Sequence, residues 1–323
     1  MPVRFTTPSL GGQNGQDVGA HEWQVGLAYR RLSADEWFVG HDVAPDRAPF
    51  AKPLSLNINS VDVSVRYGLT SRANVALTFP FSYGVQRRFY ADGQSHRVSA
   101  RGLGDVNLIA NGWLKDPDGN PLRNIALGIG VKAPTGNNDV HDDFFTSGGT
   151  TRAPVDQSIQ LGDGGWGIIL QTQGFAALRA GGNLIGYASG SYLLSPRTKT
   201  RVQFPNASGV GTGIFLSVPD VYSARLGAAY VLSPAHRLAV SLGGRVDGIP
   251  LRDVIGGGDD GFRRPGYSLY ADPGLSMAVG RNAFALSIPI RVGQDFRPDL
   301  TPGHPVGGDL AKYLVFASYV VEF

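Results

Sequence analysis

The sequence predicts an all-β protein: a transmembrane antiparallel up-and-down β-barrel of twelve strands, with both chain ends on the periplasmic side. Three observations lead there. Apolar residues recur at every second position in segment after segment, the period of a strand with two unlike faces. The connections between these segments alternate between short and long. The last eleven residues set Tyr313, Val315, Ala317, Tyr319, Val321 and Phe323 against Leu314, Phe316, Ser318, Val320 and Glu322. Chain ends ordinarily fray. A closing strand with a terminal aromatic suits an outer-membrane barrel, where that ring sits at the lipid–water boundary.

The first strand carries Trp23, Val25, Leu27 and Tyr29 on one face and Gln24, Gly26, Ala28 and Arg30 on the other. The second sets Val61, Val63, Val65 and Tyr67 against Asp62, Ser64 and Arg66. The third sets Val75, Leu77, Phe79, Phe81 and Tyr83 against Ala76, Thr78, Pro80 and Ser82. The fourth is fainter, with Val106, Leu108 and Ala110 against Asp105, Asn107 and Asn111. Ile125, Leu127, Ile129 and Val131 oppose Asn124, Gly128 and Lys132 in the fifth. The sixth spans about 166–178 with Gln171 and Gln173 on its polar face, and the seventh, 184–194, has no clear phase. The eighth sets Tyr222, Leu226, Ala228 and Tyr230 against Ser223 and Arg225; the ninth sets Leu238, Val240, Leu242 and Val246 against Ser241, Arg245 and Asp247. The tenth sets Tyr267, Leu269, Leu275 and Met277 against Ser268, Tyr270, Asp272 and Ser276. The eleventh sets Phe284, Leu286, Ile288 and Ile290 against Ser287 and Arg291, and the tail is the twelfth.

Short connections are expected near 68–72, 116–123, 179–183, 233–237 and 280–282. Long ones are expected near 38–53, 86–101, 136–165, 195–219, 248–265 and 293–308. Short periplasmic turns and long extracellular loops are the pattern of outer-membrane barrels, and an even strand count returns both ends to one side. A soluble barrel needs an apolar interior. Here one face is apolar and the other carries Arg, Asp, Gln and Asn, so the polar side is the inside. Trp23, Tyr67, Tyr230 and Phe323 mark one interface; Tyr83, Trp166, Tyr222, Tyr267 and Tyr313 mark the other.

Composition agrees. Of 323 residues 45 are Gly, about 14%, and none is Cys. That Gly content is about twice the usual level; it suits turns and crowded strand positions. The lack of Cys excludes disulfides and Cys-based metal or nucleophile sites. No segment has the roughly 18 apolar residues of a transmembrane helix, whereas a barrel strand needs only about 9–11. The mean hydropathy of −0.07 fits such strands. A net charge of +3 is too small to argue for nucleic acid. We expect a signal peptide removed ahead of Met1, residues 1–20 as a periplasmic or plug segment, and residues 21–323 as the barrel.

Several motifs carry a family resemblance. Gly102-Leu103-Gly104-Asp105 opens the fourth strand, Lys132-Ala133-Pro134-Thr135-Gly136 closes the fifth, and Gly162-Asp163-Gly164 leads into the sixth. Gly243-Gly244-Arg245-Val246 is followed by Asp253, Gly256-Gly257-Gly258 and Phe262-Arg263-Arg264-Pro265-Gly266-Tyr267. From about residue 55 to the end, their order and spacing resemble the outer-membrane transporter family labelled meta-pathway of phenol degradation. The resemblance implies a bacterial outer-membrane channel that passes aromatic or other hydrophobic small molecules. It brings no catalytic residues and no cofactor. The expected partners are outer-membrane lipid, the barrel-assembly machinery acting through the C-terminal strand, and a small-molecule solute.

Two other functions are weighed against a channel. A hydrolase needs a positioned base and nucleophile; His141-Asp142-Asp143 in the longest loop is the candidate cluster, but a solvated polar loop accounts for it. A structural or adhesive barrel would have a sealed lumen. Asp116-Pro117-Asp118-Gly119-Asn120 lacks the acid that completes a calcium loop and reads as a turn. Asp253, Asp259 and Asp260 are weak candidates for a cation between loops.

Twelve strands lie between small filled barrels and open porins, so the bore should be narrow. Residues 137–158 and 1–20 are candidate plugs. The alternation points Arg30, Lys132, Arg225, Arg245, Arg291 and Lys312 inward with Asp62, Asp105, Asp247 and Asp272. Arg66, Gln171, Gln173 and Tyr270 complete the polar lining, and Ile109, Ile169, Phe175, Tyr270 and Phe316 form an apolar track or space-filling. Six bases against four acids leave two positive charges, which favours anions unless the charges pair across the lumen as struts.

Overall fold

Residues 18–47, 54–205, 211–258, 261–304 and 306–323 are described by a computed structural model. Most of the segment 1–20, and Asp259 and Asp260, lie outside them. The described chain is almost all strand, and it closes into an antiparallel barrel of twelve staves.

β1 (Trp23–Val39) carries the two-residue β2 (Asp42–Val43) folded back on its end and pairs with β3 (Ser55–Gly68), which pairs with β4 (Ala73–Phe89). β5 (Ser95–Leu103) and β6 (Val106–Trp113) share the next stave, each pairing with one half of β4. β7 (Arg123–Ala133) follows, and then a hairpin of β8 (His141–Thr146) and β9 (Gly149–Pro154) inside a long connection. β10 (Gly167–Ala177) and β11 (Leu184–Leu194) return to the wall, and β12 (Lys199–Pro205) and β13 (Gly211–Ser217) make a second loop hairpin. β14 (Val221–Ser233), β15 (Leu238–Ile249) and β16 (Gly266–Val279) continue the wall. β17 (Asn282–Ser287) and β18 (Ile290–Phe296) share a stave, and β19 (Gly308–Glu322) pairs with β1 from Gln24↔Glu322 to Phe38↔Gly308. That pairing closes the barrel and removes both sheet edges.

Because Gln24 faces Glu322, the start of β1 and the end of β19 lie at one rim, called here the near rim. The connections 69–72, 114–122, 178–183, 234–237 and 280–281 lie at the same rim. The longer ones rise from the opposite, far rim.

The faces follow the alternation. Leu226, Val292, Leu242 and Ile129 are 61–70% exposed on the outside, although each is apolar. Ile125, Leu127, Leu286 and Ile288 are exposed with them, while Val75 and Leu77 sit on the face opposite buried Asn74 and Ala76. A continuous apolar exterior is tolerable only against hydrocarbon. Trp23 and Tyr67 touch at 4.7 Å at the near rim. On the far side Tyr192, Tyr222 and Tyr267 follow one another across staves through Gly248.

Two expectations need correction and two gain detail. The region 86–101 is no loop: β4 and β5 run on as a hairpin closed at 90–94. The long connections expected at 136–165 and 195–219 carry the hairpins β8–β9 and β12–β13. The eleventh strand is broken between Ser287 and Ile290, since Pro289 has no N–H for the ladder; its carbonyl still accepts from Leu314 N. The seventh strand, unclear in phase, turns Ile185, Tyr187 and Leu193 inward.

Candidate functional site: the barrel lumen

Side chains on the inner face pair in layers set by register. Arg30 Nη2 lies 2.8 Å from Asp62 Oδ1 on the neighbouring stave. Nearer the near rim, Arg66 Nη1 donates to Gln24 Oε1 at 2.6 Å. Gln171 donates to Asn111, which donates to Asn74 Oδ1 at 3.2 Å. Gln173 is half-buried on the same inner face, opposite Ala126.

Across the barrel, register sets Arg225 opposite Arg245, and Tyr270 between Arg245 and Arg291. Three neighbouring guanidiniums would repel one another if unpaired. Each has an acid. Asp272, 1% exposed, accepts from Arg225 Nε at 2.6 Å and from Ser287 Oγ. Asp247 Oδ2 accepts from Arg245 Nε at 2.8 Å. Glu36 Oε2 accepts from Arg291 Nη2 at 2.7 Å. Arg245 also lies 4.7 Å over the Phe316 ring, and Arg291 lies 4.1 Å over that of Phe38. The Tyr187 hydroxyl crosses this layer between Gly227 and Gly243, where an added Cβ would come within 2.6 Å of it.

Three of the motifs, those at 102–105, 132–136 and 162–164, converge on one buried knot. Lys132, 1% exposed, places Nζ 3.4 Å from Asp105 Oδ2 and in contact with Asp163 Oδ1. Asp105 also accepts from Gly136 N at 3.0 Å and Asp163 N at 3.4 Å, and Asp163 Oδ1 accepts from Gly165 N at 2.9 Å. Both ends of the long connection 134–166 are thereby tied to the wall. Between them the chain packs inward: Phe144, Val155 and Ile159 join Leu32, Trp37, Leu56, Tyr270 and Leu314 in one buried apolar cluster. Ile159 lies against Gly84, where a Cβ would stand 2.7 Å away, so only glycine admits this approach. Outside the spanning strands, Asp156 faces the Arg264 and Arg88 guanidiniums. Burial works to raise its carboxyl, but hydrogen bonds from Ser158 and these charges hold it below the ordinary range.

The expected charge count changes. Arg30, Lys132, Arg225, Arg245 and Arg291 are five bases, and Asp62, Asp105, Asp163, Asp272, Asp247 and Glu36 are their six partners; Arg66, bonded to Gln24, makes the count six against six. Of the two missed acids, Asp163 comes from a stretch read as a connection, and Glu36 from the part of β1 beyond Arg30, where the expected alternation stops. Lys312 departs from the expected lining: a bulge at Ala34 and Ala311 breaks the two-residue phase. Its side chain is 54% exposed and pairs with Asp35, 57% exposed, and with Glu36 at 3.2 Å. The excess of positive charge is gone, and the geometry is that of struts.

His141 sits in the β8–β9 hairpin with Asp139, while Asp142 and Asp143 face Arg152. Asp253 is taken by Arg263 in two bonds of 2.8 Å and by Asp220 N. Among the described residues no three His, Cys, Asp or Glu side chains are grouped to hold a metal.

No family model matches the chain, and no curated protein matches its sequence. An outer membrane channel from Pseudomonas putida F1 is similar in structure, with a TM-score of 0.60 at 14% identity over 96% of this chain and 99% of that one. A Pseudomonas aeruginosa FadL homologue aligns with a TM-score of 0.43 at 9% identity, over 94% and 90% of the two chains. The CymD monoaromatic hydrocarbon channel aligns at 0.43 and 10%, over 94% and 89%. The first likeness shows a shared β-barrel fold.

Proposed function

We propose that this protein is a bacterial outer-membrane channel through which small uncharged molecules, aromatic or otherwise hydrophobic, diffuse down their gradient. One observation carries the reading: the bases and acids of the lumen balance in number and five of the bases are paired with an acid, and apolar side chains such as Ile169 and Phe316 share that inner face. Rings of like charge draw ions; a paired, apolar-walled bore does not. The barrel's likeness to an outer membrane channel supports it, as does the resemblance of its motifs to those of the phenol-degradation transporters. In this reading the near rim faces the periplasm, the removed signal peptide directed export, residues 1–20 form a periplasmic or plug segment, and the assembly machinery engages the C-terminal strand. The side chains from Arg30 to Arg291 brace the bore and set its polarity.

The test is flux into vesicles carrying the purified barrel. Uptake of an uncharged aromatic should exceed that into empty vesicles, and a salt gradient across a planar bilayer should give a reversal potential near zero. A strong anion or cation preference defeats the reading of a neutral lumen. No uptake of any solute would favour a sealed structural barrel.

A further inference from the structure

On four adjoining staves the outer face changes character toward the far rim. Register aligns Tyr29, Val61, Phe81 and Leu103 in one outward row across β1, β3, β4 and β5. Val61 and Phe81 are exposed in that row, as lipid-facing side chains are. The next outward row, two residues nearer the far rim, is Arg31, Asn59, Tyr83 and Arg101. Beyond it come Ser33, Asn57, Val85 and Ser99, and beyond those Arg87 stands directly opposite Arg97. These three rows hold four bases, all exposed, and no acid. Like charges directly opposite on neighbouring strands repel. Arg97 donates to the Tyr83 hydroxyl, which draws its guanidinium toward Arg101, the cross-strand partner of Tyr83. The acids nearby are engaged elsewhere. Asp142 and Asp143 face Arg152, Asp142 also accepts from Ser99 N at 2.8 Å, and Asp35 lies by Lys312. Among the described residues none of Arg31, Arg87, Arg97 and Arg101 pairs with an acid.

We propose that this outer face binds a bisphosphorylated glycolipid of the outer leaflet, with its acyl chains along the Val61–Phe81 row and its phosphates on the arginines. Arg31 takes one phosphate; Arg97 and Arg101, backed by Arg87, take the other. Guanidinium forks match phosphate oxygens in paired bonds. Three inter-strand spacings separate Arg31 from Arg101, about 14 Å, and the polar side chains between them suit a sugar. Tyr29 and Ser33 occupy the carboxamide oxygens of Asn59 and Asn57 at 2.7 and 2.9 Å, which leaves the NH2 groups to donate to sugar oxygens. A soluble anion would use the arginines and leave the apolar row uncovered. A lipid with a single phosphate would serve one end. The site rests on the far rim facing the cell exterior, as in the reading above, and not on conduction.

The experiment follows binding by native mass spectrometry of the full chain in nonionic detergent. The probes are bisphosphorylated lipid A, monophosphorylated lipid A and phosphatidylglycerol, with inorganic phosphate as competitor. The bisphosphorylated form should bind about tenfold more tightly than either single-phosphate lipid, the worth of one hydrogen bond to a charged group. Arg97→Gln with Arg101→Gln should lower its affinity by about tenfold or more and erase that preference. Arg31→Gln should do the same from the other end. Arg123→Gln, at an exposed position of β7 by the near rim, should change nothing. Equal binding of the three lipids, unchanged affinity in the folded double variant, an equal loss in Arg123→Gln, or displacement of the lipid by inorganic phosphate each overturns the site. Heat-modifiable mobility reports folding; if the double variant does not fold, the lipid preference of the unaltered chain and Arg31→Gln decide. Binding in detergent needs neither flux nor orientation. Its failure leaves the channel standing, and a failed flux test leaves the site standing.

Discussion

Lys132→Met removes one charge from the most enclosed ionic knot in the barrel and keeps most of the stem's volume. The ammonium is 1% exposed and faces two carboxylates, with Asp105 Oδ2 at 3.4 Å. At an effective dielectric constant of about 20, one such attraction is worth about 5 kcal/mol. Desolvation of the ammonium offsets much of it. The variant, however, leaves Asp105 and Asp163 buried together with no base between them, and breaking a buried pair in this way costs about 3–5 kcal/mol. Bonds from Gly136 N, Asp163 N and Gly165 N still support the carboxylates, which argues for the lower end, about 3 kcal/mol. The loss should appear as a lower urea midpoint for the barrel refolded in vesicles, followed by tryptophan fluorescence. Adding Asp105→Asn and Asp163→Asn should recover a large part of it, because the stranded charges are then gone. The single variant should also flicker open more in planar bilayers, since 134–166 loses one tether to the wall. A loss below about 1 kcal/mol, or a triple variant no better than the single one, would refute the reasoning.

Three further outcomes are expected. Leu286→Arg places a charge on the lipid face, and if that position lies near the midplane it should cost about 2–4 kcal/mol in vesicle unfolding titrations; no loss would place Leu286 away from hydrocarbon. Phe323→Ser, or removal of that residue, should lower the yield of heat-modifiable folded barrel in outer membranes, and an unchanged yield would separate the terminal ring from assembly. Asp156, whose folded carboxyl lies below its ordinary value of 3.8, contributes stability fully above that value and loses it as pH falls through the lower folded value. Asp156→Asn should therefore flatten the acid limb of stability below about pH 4, and a limb identical to wild type would dismiss its contacts with Ser158, Arg264 and Arg88.

Strand existence and facing were legible because a strand's period is local. Val75 and Ile125 point outward, and Asp62, Arg225 and Asp272 inward, from the same two-residue alternation, and closure on Phe323's strand followed from an even count. Where the period is interrupted, the reading failed. Pro289 broke a stave that hydropathy drew as continuous, and the bulge at Ala311 carried Lys312 out of phase. The continuation of β4 and β5 past 86 was masked because His96 and Arg97 are polar in a stretch that projects beyond the apolar band.

By itself the sequence determined the all-β class, the twelve staves, the polar lumen and the residue types that line it. Only the tertiary structure decided which charges meet. Glu36 reaches Arg291 across 255 positions of chain, and Asp163 reaches Lys132 across 31, because closure and an inward loop bring them together. Alternation fixes the side on which a residue lies. Register and loop return fix its neighbour, and neighbours rather than sides convert an apparent positive lumen into a neutral one.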